Sequence, residues 1–170
     1  MRGHWKVAIA LALAVALTGA GPAPRKVAIF DFELLDTSLE GATNGPRPDE
    51  TARLAKISDQ LRDDLAKSGR VDVVSIAPVA AEARASNLQL CGGCDVTLAQ
   101  KLGADIVVTG WVQKVSDLII NINIIVRDVH TGNVIKEKSV DIRGNTDESW
   151  SKGLEYLVRN YLLAPDQGVF

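Results

Sequence analysis

The fold is decided by ADIVVTGWVQ at residues 104–113, LIININIIVRD at residues 118–128 and VIKEKSVDI at residues 134–142. Each segment is rich in Ile and Val, which favour strands, and a short polar turn separates the first two. The third follows HTGN at residues 130–133, a glycine-containing connection typical of a hairpin. The pattern therefore predicts three consecutive strands joined by hairpins, with antiparallel neighbours.

The second of these segments alternates in polarity. Its even-numbered residues from Ile120 to Val126 are apolar, whereas its odd-numbered residues include Asn121, Asn123 and Arg127. Successive side chains of a strand point to opposite faces of the sheet. We therefore expect one face of the sheet to pack on the core and the other to be more solvated.

Towards the N-terminus, the sequence predicts a strand, a crossover helix and a second strand. The first strand is KVAIFDF at residues 26–32, and residues 33–49 are expected to form a long loop because they are rich in turn-forming residues. Residues 49–68 carry apolar side chains at helical spacing, and residues 71–76 form the next strand. A strand, crossover helix and strand imply a parallel pair.

Short helices are predicted at residues 78–85 and 95–102, and a longer amphipathic helix at residues 145–163. Asn145 and Glu148 have the spacing of a capping box at the start of this last helix. The element order is βαβα(α)βββα. It predicts an α/β (α+β) sandwich, with a mixed sheet of about five strands and helices packed on it.

Residues 1–20 are predicted to be a signal peptide. Arg2 and Lys6 precede an apolar run at residues 7–17, and small residues follow that run. This run is shorter than the roughly 20 residues that a spanning helix needs, although an uncleaved anchor is the alternative. No Cys follows the run, so there is no lipobox. We expect a periplasmic protein with a single domain at residues 21–170 and no membrane span in that mature chain.

The charge balance argues against a nucleic-acid partner. Of the 19 Lys and Arg residues, Arg2 and Lys6 belong to the predicted signal peptide, so 17 remain against 21 Asp and Glu and the net charge is −4. Binding to nucleic acid depends on basic patches that neutralise phosphates. The sequence also contains no basic amphipathic helix, which is the feature that would indicate binding to a membrane surface.

Four short motifs resemble those of known envelope domains: VAIFDF at residues 27–32, LGAD at 102–105, GWV at 110–112 and DVHTG at 128–132. On these motifs the chain resembles the N-terminal domain of TolB and the related CsgG-like and LpoB-like envelope modules. The resemblance covers most of residues 26–163. It implies this fold, and it favours a protein partner over a small molecule.

The chain resembles more closely a family of small exported bacterial proteins of unknown function. The marks of that family here are the Cys91–Cys94 pair, TGWVQK at residues 109–114 and GNTDESW at residues 144–150. This resemblance implies a periplasmic location and no particular activity.

Cys91 and Cys94 are the only two cysteines, and two glycines separate them just before a predicted helix. In an oxidising compartment this arrangement predicts a structural disulfide. A thiol redox pair is one alternative, because a CxxC motif at a helix N-terminus can have a lowered thiol pKa. A metal site is another, although two cysteines alone are too few for zinc.

Acidic residues follow the first predicted strand. Asp31, Glu33 and Asp36 lie where open α/β sheets tend to bind ligands, and carboxylate oxygens suit calcium or magnesium. The spacing does not match an EF-hand loop. The three residues are therefore a candidate cation site, and the alternative is a solvated acidic loop.

Trp111 is the candidate centre of a protein-binding surface. It shares a strand face with Thr109 and Gln113, and tryptophan is enriched in binding hot spots. The alternative is that a helix covers this face. The adjacent strand would extend the surface with Asn121, Asn123 and Arg127.

Enzyme signatures such as GxSxG, HExxH and the P-loop are absent from the sequence. His130 is the only histidine outside the signal segment, and in a hairpin turn we expect it to be solvated. We predict a non-enzymatic binding or adaptor domain without a cofactor, which recognises another envelope or periplasmic protein. The alternatives are a thiol–disulfide redox protein using Cys91 and Cys94, and a small-ligand or cation-binding accessory of a periplasmic enzyme system.

Overall fold

The structure is a computed structural model, which describes residues 23–166 and 168–170. The predicted signal peptide lies outside these residues. Within the described ranges, no helix combines the length and the apolar character needed to cross a membrane. The strands are β1 (Arg25–Ile29), β2 (Glu33–Asp36), β3 (Val71–Val74), β4 (Ile106–Ser116), β5 (Ile119–Asp128) and β6 (Val134–Ile142). The helices are α1 (Leu39–Asn44), α2 (Pro48–Lys67), a 3₁₀ turn (Ala77–Val79), α3 (Ala80–Ala85), α4 (Cys94–Lys101), α5 (Asp147–Leu157) and a terminal π-helical turn (Val158–Leu162).

All the described strands belong to one mixed sheet. Its order is β3-β1-β4-β5-β6, and β2 also pairs with β4. β1 runs parallel to both β3 and β4, whereas β4, β5 and β6 form an antiparallel meander. The predicted α/β sandwich with a mixed sheet is confirmed, and the sheet has six strands where the sequence predicted about five.

The predicted loop at residues 33–49 is wrong. β2 pairs in parallel with β4, and α1 follows, with its N-terminus capped by Ser38 Oγ, which accepts a hydrogen bond from the Gly41 backbone. Of the turn-forming residues that suggested a loop, Asn44 and Gly45 end α1 and Pro48 begins α2. Gly45 closes α1 with a φ of 74°, a value that suits glycine.

β1 and β2 lie end to end along the same edge of β4. β1 pairs with Ile106, Val107 and Val108, and β2 pairs with β4 from Trp111 onwards. The chain leaves the sheet briefly between them, and there the ring of Phe32 packs against Gly110. A Cβ at Gly110 would lie 2.3 Å from that ring, so this approach needs a glycine.

Helices cover the two faces of the sheet unequally. On the first face, α2 and α5 pack against β1, β4 and β5. Together they form the larger core, which includes Leu61 of α2, Trp150 of α5 and Ile122 of β5. On the second face, α3 and α4 form a smaller core with Phe30 and Val107. The part of the second face formed by β2 and the far ends of β4, β5 and β6 has no helix over it in the described chain.

The last helix begins two residues later than predicted. Thr146, rather than Asn145, is the N-cap, because Thr146 Oγ1 accepts from the Ser149 backbone and Ser149 Oγ accepts from the Thr146 backbone. The capping box is therefore made by Thr146 and Ser149, and the predicted pair of Asn145 and Glu148 is wrong. Asn145 instead accepts a hydrogen bond from the buried indole of Trp150.

Candidate functional site

Trp111 lies half-buried on the uncovered part of the second face. Its partner on β5 is Asn123, and the next pair on this face joins Gln113 to Asn121. These four predicted surface residues are therefore brought together. No helix of the described chain covers Trp111 completely, which was the alternative for this residue.

The other two predicted surface residues lie towards the covered end of the same face. Thr109 is only 3% exposed. Arg127 is half-buried, and its Nε lies 3.2 Å from the Asp95 carboxylate at the start of α4. Their surroundings therefore differ from the open environment of Gln113 and Asn121.

A pocket of about 420 Å³ opens beside Trp111. We define the Trp111 pocket by the residues that line it: Glu33, Leu34, Leu35, Asn87, Gln89, Leu90, Trp111 and Ile125. Glu33 and Trp111 are paired positions of β2 and β4, so β2 brings a carboxylate beside the indole. Leu90 is 82% exposed and Leu35 is 47% exposed, which gives the pocket an apolar rim.

Two polar atoms in this pocket have no hydrogen-bond partner. Glu33 Oε1 accepts from the Leu88 backbone at 2.9 Å, but Oε2 of the same carboxylate is buried without a partner. The side-chain Nε2 of Gln89 is also buried without a hydrogen-bond partner. Buried polar atoms are normally paired, so these two atoms are exceptions among the described residues, as is Oε2 of Glu50.

The three acidic residues of the candidate cation site have separate contacts. Asp31 pairs with Arg62 and lies 3.5 Å from Arg84. Asp36 accepts from the Ser38 backbone at 2.8 Å. With Glu33 bound to the Leu88 backbone, each carboxylate is held by a different part of the chain, and calcium or magnesium binding by the three together stays a prediction.

Acidic side chains do converge elsewhere, around a lysine that the sequence reasoning missed. Lys114 on β4 is completely buried, and its Nζ donates to Glu50 Oε1 at 2.7 Å and to Glu40 Oε2 at 2.8 Å. Asp117 and Asp36 lie at 3.4 Å and 3.7 Å from the same nitrogen. We call Lys114 and these four carboxylates the Lys114 network.

The carboxylates of the network stabilise the positive charge of Lys114. Burial alone would lower the pKa of Lys114, but the hydrogen bonds to Glu40 and Glu50 outweigh it, so the pKa is raised above its ordinary value. The oxygens of Glu40, Glu50 and Asp117 lie close enough together to hold a metal ion. The ammonium group already lies among these carboxylates and supplies the positive charge that a cation would bring.

Asn145 joins the network to the last helix. Its Nδ2 donates to Glu50 Oε1 at 2.7 Å and to Asp117 Oδ1 at 3.0 Å. The hydrogen bond from Asn145 is the main reason why the pKa of Asp117 is lowered. Two of the motifs that mark the family resemblance, at residues 109–114 and 144–150, therefore meet through Lys114 and Asn145.

Cys91 and Cys94 form a disulfide, with their Cα atoms 5.6 Å apart. Gly92 and Gly93 between them have φ values of 67° and 110°, which a glycine adopts without strain. Cys94 is the first residue of α4, and Cys91 is exposed. His130 is an exposed turn residue, as predicted, and its Nε2 lies 3.4 Å from Asp105.

The architecture defines the class of protein by its fold: an α/β sandwich with a mixed sheet, similar to the LpoB C-terminal domain. That domain from Salmonella enterica superimposes with a TM-score of 0.52 at 14% identity, covering 74% of this chain and 87% of its own. PelC from Paraburkholderia phytofirmans, described as a dodecamer, gives a TM-score of 0.51 at 14% identity, covering 82% and 92%. These likenesses show the fold.

TolB from Acinetobacter baumannii is similar more distantly, with a TM-score of 0.42 at 17% identity over 82% of this chain and 29% of TolB. No curated protein matches the chain. Residues 25–162 match the family described as "Protein of unknown function (DUF2380)", and the chain belongs to that family. The expected membership of an unknown-function family and the expected LpoB-like fold are both confirmed.

Proposed function

We propose that this protein is a non-enzymatic binding or adaptor domain of the bacterial periplasm, which docks another envelope protein on the uncovered part of its sheet. The observation that carries the proposal is Trp111, half-buried at the centre of a face that no described helix covers. Tryptophan combines a large apolar area with a hydrogen-bonding group, and it is enriched in the energetically dominant positions of interfaces.

The apolar residues around Trp111 support docking of a protein. Leu90 and Leu35 are exposed, and Ile125 on β5 is only half-buried beside them. Contiguous apolar surface with a polar rim is typical of a protein–protein contact site. Asn121, Asn123 and Gln113 would form the polar part of that contact.

The periplasmic location is supported by three observations. The sequence predicts a signal peptide at residues 1–20, the two cysteines are paired in a disulfide, and the motifs resemble those of envelope modules. Disulfides persist in the periplasm and are rare in the cytosol. Fusion of the first 25 residues to a reporter that is active only after export would test this location, with Arg2 and Lys6 replaced by Glu as the control.

The docking surface is tested by site-specific photo-crosslinking in cells. A photoreactive amino acid replaces Gln113 beside Trp111, and the matched control replaces Lys152, which is exposed on α5 at the other side of the sheet. We expect a defined envelope protein to crosslink at position 113, to be absent at position 152, and to be lost when Trp111→Ala is added. Equal capture at both positions, or capture that survives Trp111→Ala, would contradict the proposal.

Because PelC is described as a dodecamer, the same experiment must separate a partner from a second copy of this chain. Crosslinked products are therefore identified by mass spectrometry from cells that express two differently tagged copies. A product that carries both tags would make the open face a self-association surface, and the adaptor function would be wrong.

A further inference from the structure

We propose that the Trp111 pocket binds one lysine or arginine side chain of the docked polypeptide. Its positive charge would meet Glu33, and its alkyl stem would pack against Trp111 and Leu90. This inference rests on the proposed docking function and adds to it the chemistry of the anchoring residue.

The first support is the unpaired charge of Glu33. Within the described residues, no Lys or Arg nitrogen forms a salt bridge with this carboxylate, whereas Asp31 is paired with Arg62 and Glu50 with Lys114. Its Oε2 is buried and accepts no hydrogen bond. A buried carboxylate oxygen without a hydrogen-bond partner is costly, and a cationic donor is the group that relieves this cost best.

The second support is the position of Gln89. Its Nε2 is a buried donor without a partner in the same pocket. A bound polypeptide carries both complements at once, since its side-chain cation can donate to Glu33 while a main-chain carbonyl accepts from Gln89. A simple amine would satisfy only the first, which is why the observations favour a polypeptide.

The third support is the apolar wall. Trp111, Leu90 and Ile125 offer aliphatic and aromatic surface beside the carboxylate. Lysine and arginine bury their alkyl stems on such surface while the charged end reaches a polar partner. A cation over an indole gains further electrostatic attraction. A metal ion suits the pocket less well, because calcium and magnesium require six or more oxygen ligands and Glu33 is the only carboxylate that lines it.

The test uses n-butylguanidinium as the cationic probe and n-butylurea as a neutral probe of the same shape. Both are titrated into the protein while NMR follows the indole N–H signals of Trp111 and Trp150 and the side-chain amide of Gln89. We expect butylguanidinium to shift Trp111 and Gln89 and to leave the fully buried Trp150 unchanged. Butylurea should bind at least tenfold more weakly. Equal binding of the two probes would overturn the proposal.

The variant that removes the charge is Glu33→Gln, which keeps an acceptor for the Leu88 backbone. Its matched control is Glu137→Gln, since Glu137 is an exposed carboxylate opposite Ile125 on the neighbouring strand. We expect Glu33→Gln to weaken butylguanidinium binding at least tenfold and Glu137→Gln to change it less than twofold. The unfolding midpoints of both variants are measured to check that the fold is kept.

The photo-crosslink at position 113 then separates the two proposals. If Trp111→Ala abolishes the crosslink but Glu33→Gln changes neither the crosslink nor probe binding, docking stands and the cationic anchor is wrong. If Glu33→Gln weakens the probe and reduces the crosslink yield, both stand. If the probe binds through Glu33 but nothing crosslinks, the docking function falls, and the assignment to a polypeptide falls with it.

Discussion

Lys114 and Trp111 lie three residues apart on β4, and the charged groups beside them differ: those around Lys114 are ion-paired, whereas Glu33 beside Trp111 is not, within the described residues. Lys114 points into the first face, where its hydrogen bonds to Glu40 and Glu50 outweigh the effect of burial and raise its pKa. Trp111 points to the second face, where the neighbouring Glu33 has no cationic partner in the described chain. The paired charge of Lys114 joins β4 to α1 and α2, whereas the carboxylate of Glu33, which has no ion-pair partner among the described residues, is the basis of the proposed binding pocket.

The largest expected effect is that of removing the ammonium group at the centre of the Lys114 network. Lys114→Met leaves Glu50 buried without its partner, and breaking a buried pair in this way costs about 3–5 kcal/mol. The free energy of unfolding in urea measures this loss. The matched control is Lys152→Met, because Lys152 pairs with Glu148 in an exposed position and we expect little change. Equal losses in the two variants would contradict a structural role for the network.

Alkaline pH should remove part of the same stabilisation. The pKa of Lys114 is raised in the folded protein above its ordinary value of 10.5. The stability that this group contributes is therefore complete below pH 10.5 and is lost as the pH rises towards the folded value. Other lysines and tyrosines titrate in the same range. The measurement is therefore the difference in unfolding free energy between wild type and Lys114→Met, which should narrow as the pH increases.

The contact between Gly110 and Phe32 predicts the next largest effect. Gly110→Ala places a methyl group 2.3 Å from the Phe32 ring, and such overpacking costs about 1–3 kcal/mol. Phe32→Leu should make room for this methyl group, so the double variant should lose less than the sum of the two single variants. Additive losses in urea unfolding would indicate that the two residues are not in this contact.

The disulfide should contribute less. Its loop is very short, and the chain-entropy relation gives about 2 kcal/mol or less for a loop of this size. We expect the Cys91→Ser, Cys94→Ser double variant to unfold at slightly lower urea concentration and to keep the Gln113 crosslink. A crosslink lost in this variant, together with a bond that glutathione reduces readily, would favour the thiol–disulfide alternative.

The smallest effect on stability is expected at Trp111, where the loss should instead be in binding. Trp111→Ala removes a half-buried side chain from an uncovered face, so unfolding should change by about 1 kcal/mol or less. The photo-crosslink at position 113 should nevertheless disappear. A large stability loss without a change in crosslinking would mean that the indole belongs to the core rather than to an interface.

The meander of β4, β5 and β6 was predictable because its polarity alternates over many residues. β2 was not, since four residues between turn formers carry no periodic signal and their pairing depends on a strand far away in the sequence. The burial of Lys114 was predictable from the alternation of β4. Lys114 has the same parity as Ile106, Val108 and Val112, so a lysine at that position had to enter the core.

The candidate site was predictable in part for similar reasons. Trp111, Gln113, Asn121 and Asn123 could be placed on one face from strand alternation alone. The pocket could not, because it needs Glu33 from β2 and Gln89 from the segment before the disulfide, and neither joins β4 through a local pattern. The Asn145 contacts were also hidden, since only the folded chain brings the last helix to the Lys114 network.

The way in which β2 and α1 are attached has a consequence for motion. α1 has no buried residue and is tied to Lys114 by Glu40, and β2 is held by four paired positions on β4 and by the ion pair of Asp36 with Lys114. Segments with so little buried apolar area open locally at lower free energy than the core. We expect their backbone amides to exchange with solvent much faster than those of β4. Since Glu33 lies on β2, the same opening would let the Trp111 pocket adjust its width to the side chain that enters it.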